Sequence, residues 1–210
     1  MSRLNRFALL SAALLAAIPL LATQASALPL SFECITNNSA TDCGIAESQL
    51  TATLDPAGPG IAQLTLTNNG PEDSVYARIF VDGSVLSGID SIVNGTGVSF
   101  AEASPAGNLP GGNTVGFDED LEIAADNPRP QNGIGPGETL TINFDIAAGS
   151  DIFDVIAALT DGSLRFGIHV QAFESGGSES IVNVPVPEPT SLALLGLGLA
   201  GLVRIGRRRS

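Results

Sequence analysis

The sequence predicts a mainly β protein: an antiparallel β-sandwich of jelly-roll or Ig-like topology with one short helix, plus N-terminal signal and C-terminal membrane helices. Three observations predict it. Apolar residues recur with period two over several short segments, clusters of Gly, Pro, Asn and Asp separate those segments, and the long uncharged apolar runs lie only at the two ends. The divisions that follow are residues 1–27, 28–185 and 186–210.

At the N-terminal end, Arg3 and Arg6 precede an apolar run from Phe7 to Ala22, and the small residues Ala25 and Ala27 follow. A basic segment, an apolar core and an Ala-x-Ala site are the layout of a cleavable signal peptide, so signal peptidase is an expected partner and cleavage is expected after Ala27. A retained anchor is the alternative, disfavoured by Pro19 and the small residues beyond it.

Leu140–Ile146 shows the strand pattern most plainly, with Leu140, Ile142, Phe144 and Ile146 on one face and Thr141, Asn143 and Asp145 on the other. Gln49–Leu54, Ile61–Thr67, Val75–Val81, Leu164–Phe173 and Ser180–Val184 read the same way, with weaker candidates at Leu30–Ile35 and Gly97–Ala101. Turns are expected at Asp55–Gly58, Asn68–Pro71, Asp82–Gly83, Gly133–Gly137 and Asp161–Gly162. One segment has helical spacing: Ile152, Val155, Ile156 and Leu159, with Ser150 or Asp151 as N-cap and Gly162 as the stop. Ala103–Gly137 reads as an irregular loop, functional or mobile, holding the acidic stretch Asp118, Glu119, Asp120 and Glu122.

Charge is distributed unevenly. The chain has no lysine, and of its nine arginines only Arg78, Arg129 and Arg165 lie between Leu28 and Pro189, against all 22 acids, so that segment carries 3 − 22 = −19. Nucleic acid is thereby excluded as a partner, since its phosphates need basic side chains. The absence of Trp argues against a sugar-stacking face. Cys34 and Cys43, an even count bridged by a polar segment in an exported chain, predict one disulfide; a metal pair is the alternative. Closing so short a loop contributes about 2.5–3 kcal/mol in the chain-entropy account.

Catalysis has little to draw on. His169 is the single histidine and is expected on the solvated face of its strand with Arg165 and Gln171; no Gly-x-Ser-x-Gly elbow is present. No cofactor is expected. Asp118, Glu119, Asp120 and Glu122 are candidate Ca²⁺ ligands by their oxygen chemistry, although their spacing is not that of an EF-hand and a solvated acidic loop is the plainer reading.

At the other end stand Pro187, Glu188 and Pro189, then an apolar segment that is uncharged from Ser191 to Val203 and expected to be helical over 191–205, with the basic stop Arg204, Arg207, Arg208 and Arg209 closing it. The two prolines hold the chain extended and remove hydrogen-bond donors, which suits an enzyme groove. The apolar run is close to the minimum for crossing a bilayer, and the arginines keep its end on the cytoplasmic side. This order of motif, Gly-rich apolar segment and arginine cluster resembles the PEP-CTERM sorting domain. The resemblance implies that an exosortase, an integral-membrane cysteine protease or transpeptidase, removes the tail during export, often alongside exopolysaccharide production. The expectation is an exported, non-catalytic surface or extracellular matrix protein, anchored transiently in the membrane and associated with exopolysaccharide or biofilm. The alternatives are a Ca²⁺-dependent glycan- or partner-binding module and a secreted hydrolase using two carboxylates.

Overall fold

The computed structural model describes residues 27–186, and among them are eleven strands and three α-helices. Two antiparallel sheets result. The five-stranded sheet has the order β1 (Leu28–Leu30), β3 (Leu50–Gly58), β4 (Ile61–Asn68), β9 (Thr139–Ile146), β6 (Leu86–Asn94). The six-stranded sheet has the order β2 (Phe32–Cys34), β11 (Glu179–Asn183), β10 (Arg165–Gln171), β5 (Val75–Asp82), β8 (Leu121–Ala125), β7 (Phe100–Ala103).

Period-two patterning places the core between them. Leu64 and Leu66 of β4 and Leu140, Ile142 and Phe144 of β9 are fully buried, as are Ile79 and Val81 of β5 and Phe166, Ile168 and Val170 of β10, all in one cluster. Phe144 and Phe166 meet across the layer with centroids 5.9 Å apart. The outward side of the five-stranded sheet is uncharged over its middle rows: Thr53, Thr65 and Thr141 stand in register, as do Thr51, Thr67 and Thr139. Hydroxyl pairs such as Thr67 with Thr139, 2.9 Å apart, tie neighbouring strands together.

The outward side of the six-stranded sheet is covered instead. Residues 104–120 run across it as a strap, with a 3₁₀ turn at Gly112–Val115, and Leu109 and Phe117 close a second small core on Phe80 and Val182. A methyl group at Gly167 would fall 2.5 Å from Leu109 Cδ2 and 3.1 Å from Phe117 Cζ, so this approach requires glycine there. The predicted long loop over 103–137 is thus corrected. It holds this strap, β8, the short helix α2 (Arg129–Asn132) and Ile134, which bridges to Tyr76. Three further corrections concern elements. Cys43 lies in a helix, α1 (Ala40–Gln49), where a polar turn was expected. β6 had no prediction. β3 runs through Pro56, with a register shift between Pro56 and Gly58, and turns only at Pro59–Gly60. A shift of register is where a proline is tolerated in a strand.

The weak candidate Leu30–Ile35 is two strands. β1 pairs with β3 in one sheet and β2 with β11 in the other, and the chain changes sheets at Ser31. β11 therefore ends beside the place where the body begins: Asn183 is in register with Phe32, and Val184 N donates to Ser31 O at 2.9 Å. α3 (Ile152–Asp161) closes the same end, packing Val155, Ala158 and Leu159 into the core. No helix among the described residues is long and apolar enough to cross a membrane. Ala25, Pro187, Glu188, Pro189, the apolar segment 191–205 and the four terminal arginines lie outside the described residues; Ala27 is exposed directly before β1.

Candidate functional site

The body ends on α3. Asp151 caps that helix, its carboxylate accepting from Phe153 N (2.8 Å) and Asp154 N (3.3 Å), while Asp154 Oδ2 accepts from Asp151 N (2.9 Å). This reciprocal pair satisfies donors that the first turn would otherwise orphan. Gly162 stops the helix in the left-handed conformation, φ 79°. β11 then delivers the chain back to it. Asn183 Oδ1 accepts from Phe166 N, and Val186 N donates to Leu159 O at 3.2 Å while its side chain packs on the core. Pro187 follows Val186 in the sequence, so the Pro187-Glu188-Pro189 motif begins one residue past this bond.

At the opposite end of the sheets the predicted disulfide is present, Cys34 to Cys43, with Cα atoms 5.6 Å apart. Both sulfurs are therefore committed, and the alternative of a thiolate metal pair does not apply. Glu179, buried at the start of β11, organises the loop between the two cysteines. Its carboxylate accepts from Thr36 Oγ1, from Asn38 N (3.1 Å) and from Ser39 N (2.7 Å). Nothing in the sequence pattern marks Glu179 for this role, because it follows a Gly-Gly-Ser turn and reads as solvated.

The four acidic Ca²⁺ candidates are dispersed by the fold. Asp118 is exposed; Glu119 Oε1 accepts from Leu109 N (2.7 Å) and Asp120 Oδ2 from Gly83 N (2.8 Å). Glu122 is 2% exposed in β8, where it accepts from Arg78 Nε (2.6 Å) and Gly107 N (2.6 Å). Burial works to raise its pKa. The Arg78 hydrogen bond, the Gly107 N–H and the nearby guanidinium charges outweigh that and hold the carboxyl below its ordinary value. Three of the four thus hold the strap and the β5–β6 turn. Among the described residues one set of three potential metal-ligating side chains converges, Cys34, Cys43 and Glu179, and two of these form the disulfide. A cleft of about 450 Å³ lined by Asp42, Glu72, Asp73 and Glu174 opens near α1 without bringing three of its carboxylates together.

His169 is not on a solvated face. It is 8% exposed, its Nδ1 3.3 Å from Ser180 Oγ, on a strand whose neighbouring Gly167 lies beneath Leu109 and Phe117 of the strap. Burial, then the Arg78 charge, lowers its pKa, so it is neutral at pH 7.

No curated protein and no solved structure matches the chain. The family model described as the PEP-CTERM protein-sorting motif matches residues 185–209, beginning on Pro185, within the last strand-like contacts of the body. With that match the junction acquires its meaning: the chain carries a PEP-CTERM protein-sorting motif and is an exported, exosortase-targeted protein.

Proposed function

We propose that the protein is a non-catalytic surface or extracellular matrix component, released from a transient C-terminal membrane anchor by its exosortase and retained in or near exopolysaccharide. The observation that carries this reading is the sorting motif at 185–209, set directly after a closed, strongly acidic β body. Support for a non-catalytic body comes from where its reactive groups sit. Both cysteines are joined, the histidine is buried, and Glu119, Asp120, Glu122 and Glu179 accept hydrogen bonds that hold loops in place. The charge of the body favours solubility in a hydrated matrix and disfavours adhesion to anionic lipid.

Substitution of the motif tests the delivery step. Pro187→Ala combined with Glu188→Ala is expected to leave the tail attached and the protein in the membrane fraction, whereas the unaltered chain appears outside the cell in a shorter form. Equal tail removal from both chains, followed by immunoblotting of membrane and external fractions, would reject the motif as the signal.

A further inference from the structure

Among the described residues Phe153 is the one exposed aromatic, at 54%; the other large apolar side chains left open are Val93 and Val115. Phe153 lies outside the stripe that α3 turns to the core, since Val155, Ala158 and Leu159 point the other way at helical spacing. Half-buried Ile152 and Ile156 flank it, and the exposed acids Asp151 and Asp154 lie beside it at the start of the helix. The same helix holds the end of the body through the bond from Val186 N to Leu159 O, six residues and about 9 Å along the axis from Phe153.

Geometry then restricts what can touch this surface. An extended chain advances at most about 3.6 Å per residue, so Pro187 cannot leave the α3 end by more than a few ångströms. A groove that grips Pro187, Glu188 and Pro189 in extended form brings its own rim against the body. We propose that the α3 face around Phe153 docks on the exosortase while the motif is read, so that the folded body and the motif are recognised together. The inference rests on the processing reading above. An aromatic anchor beside charged side chains has the anatomy of an interface hot spot, and the adjacent acids fit a cationic protein surface while they oppose anionic lipid.

The test uses the full chain in cells that hold the exosortase, with tail removal followed by pulse-chase. Phe153→Ser is expected to slow removal about 10-fold, equivalent to ~1.4 kcal/mol of lost recognition, and Phe153→Leu to restore most of the rate. A ten-residue Gly/Ser spacer between Val186 and Pro187 uncouples motif from body, so the serine variant and its parent should then be processed at one rate. Unchanged processing of Phe153→Ser in the natural junction overturns the proposal. So does an equal slowing with the spacer present, which would assign Phe153 an action that does not depend on the short junction, such as a lipid contact. A parent chain that keeps its tail as fully as the Pro187→Ala, Glu188→Ala chain overturns the processing reading itself. Melting temperatures of the purified variants should agree, because an exposed side chain contributes little to stability.

Discussion

Replacing Arg78 with alanine is expected to destabilise the protein by about 3–5 kcal/mol, the cost of leaving one partner of a buried ion pair without its counterion. Glu122 is enclosed by β5, β7 and the strap, and it is in direct contact with the Arg78 guanidinium, whose Nε lies 2.6 Å away. The guanidinium also stacks over Phe80, 4.7 Å from the ring centroid, and that contact is lost together with the charge. Glu122→Gln, which keeps the shape and removes the buried charge, should cost less. Arg78→Leu combined with Glu122→Leu should recover much of the loss, because an apolar pair needs no desolvation of charge. Urea unfolding followed by circular dichroism gives the ranking. pH provides a second readout. A carboxyl held below its ordinary value contributes stability that is complete above the unfolded-state value of about 4.3 and fades as pH falls through the folded-state value. The unaltered protein should therefore lose more stability on acidification below about pH 4.3 than Glu122→Gln does. In Arg78→Ala the His169 imidazole should titrate closer to its ordinary range, since a cation that lowers its pKa has gone.

The second large effect is expected at Glu179. Its carboxylate supplies the acceptor for two backbone N–H groups and one hydroxyl between the cysteines, and hydrogen bonds to a charged acceptor contribute about 1.5–3 kcal/mol each. Asn38 is exposed enough for water to replace part of this, so Glu179→Ala should cost about 2–4 kcal/mol overall. The loss concentrates in one loop, with a local consequence. Cys34–Cys43 should be reduced faster by dithiothreitol under native conditions in Glu179→Ala than in the parent, because the loop opens more readily. A parent-like reduction rate together with an unchanged thermal melt would show that the disulfide and α1 hold the loop without the carboxylate.

These two positions also show where sequence reasoning stops. Five strands were legible from their apolar patterning: β4, β5, β9, β10 and β11 lie within two residues of the predicted ranges, and α3 has the N-cap and stop expected of it. In β9 the side chains of Thr141, Asn143 and Asp145 face solvent or a neighbouring strand's polar row, so period two and burial coincide. The strap breaks that coincidence on the other sheet. Polar residues at alternate positions, Glu122 in β8 and His169 in β10, are covered, and β8 reads as an acidic loop because its buried faces offer no alternation. β6 is an edge strand with two register shifts and one buried residue, Leu86, so it has no pattern to detect. α1 has the mixed composition Ala-Thr-Asp-Cys-Gly and lacks an apolar stripe; it is placed by the Ser39 cap, the Glu179 loop and the disulfide, all of which depend on distant residues. The sorting motif was legible for the opposite reason. A sorting motif is a signal in local sequence, so the match at 185–209 does not depend on packing.

Intact mass of the protein recovered from cells and from the surrounding medium fixes both ends of the mature chain in one spectrum. The expected external species begins at Leu28, where β1 begins, and ends close to the Pro187-Glu188-Pro189 motif, with the Cys34–Cys43 bridge intact. An external species that retains the residues through Arg209, or a chain found only inside the cell, would contradict export with removal of the tail.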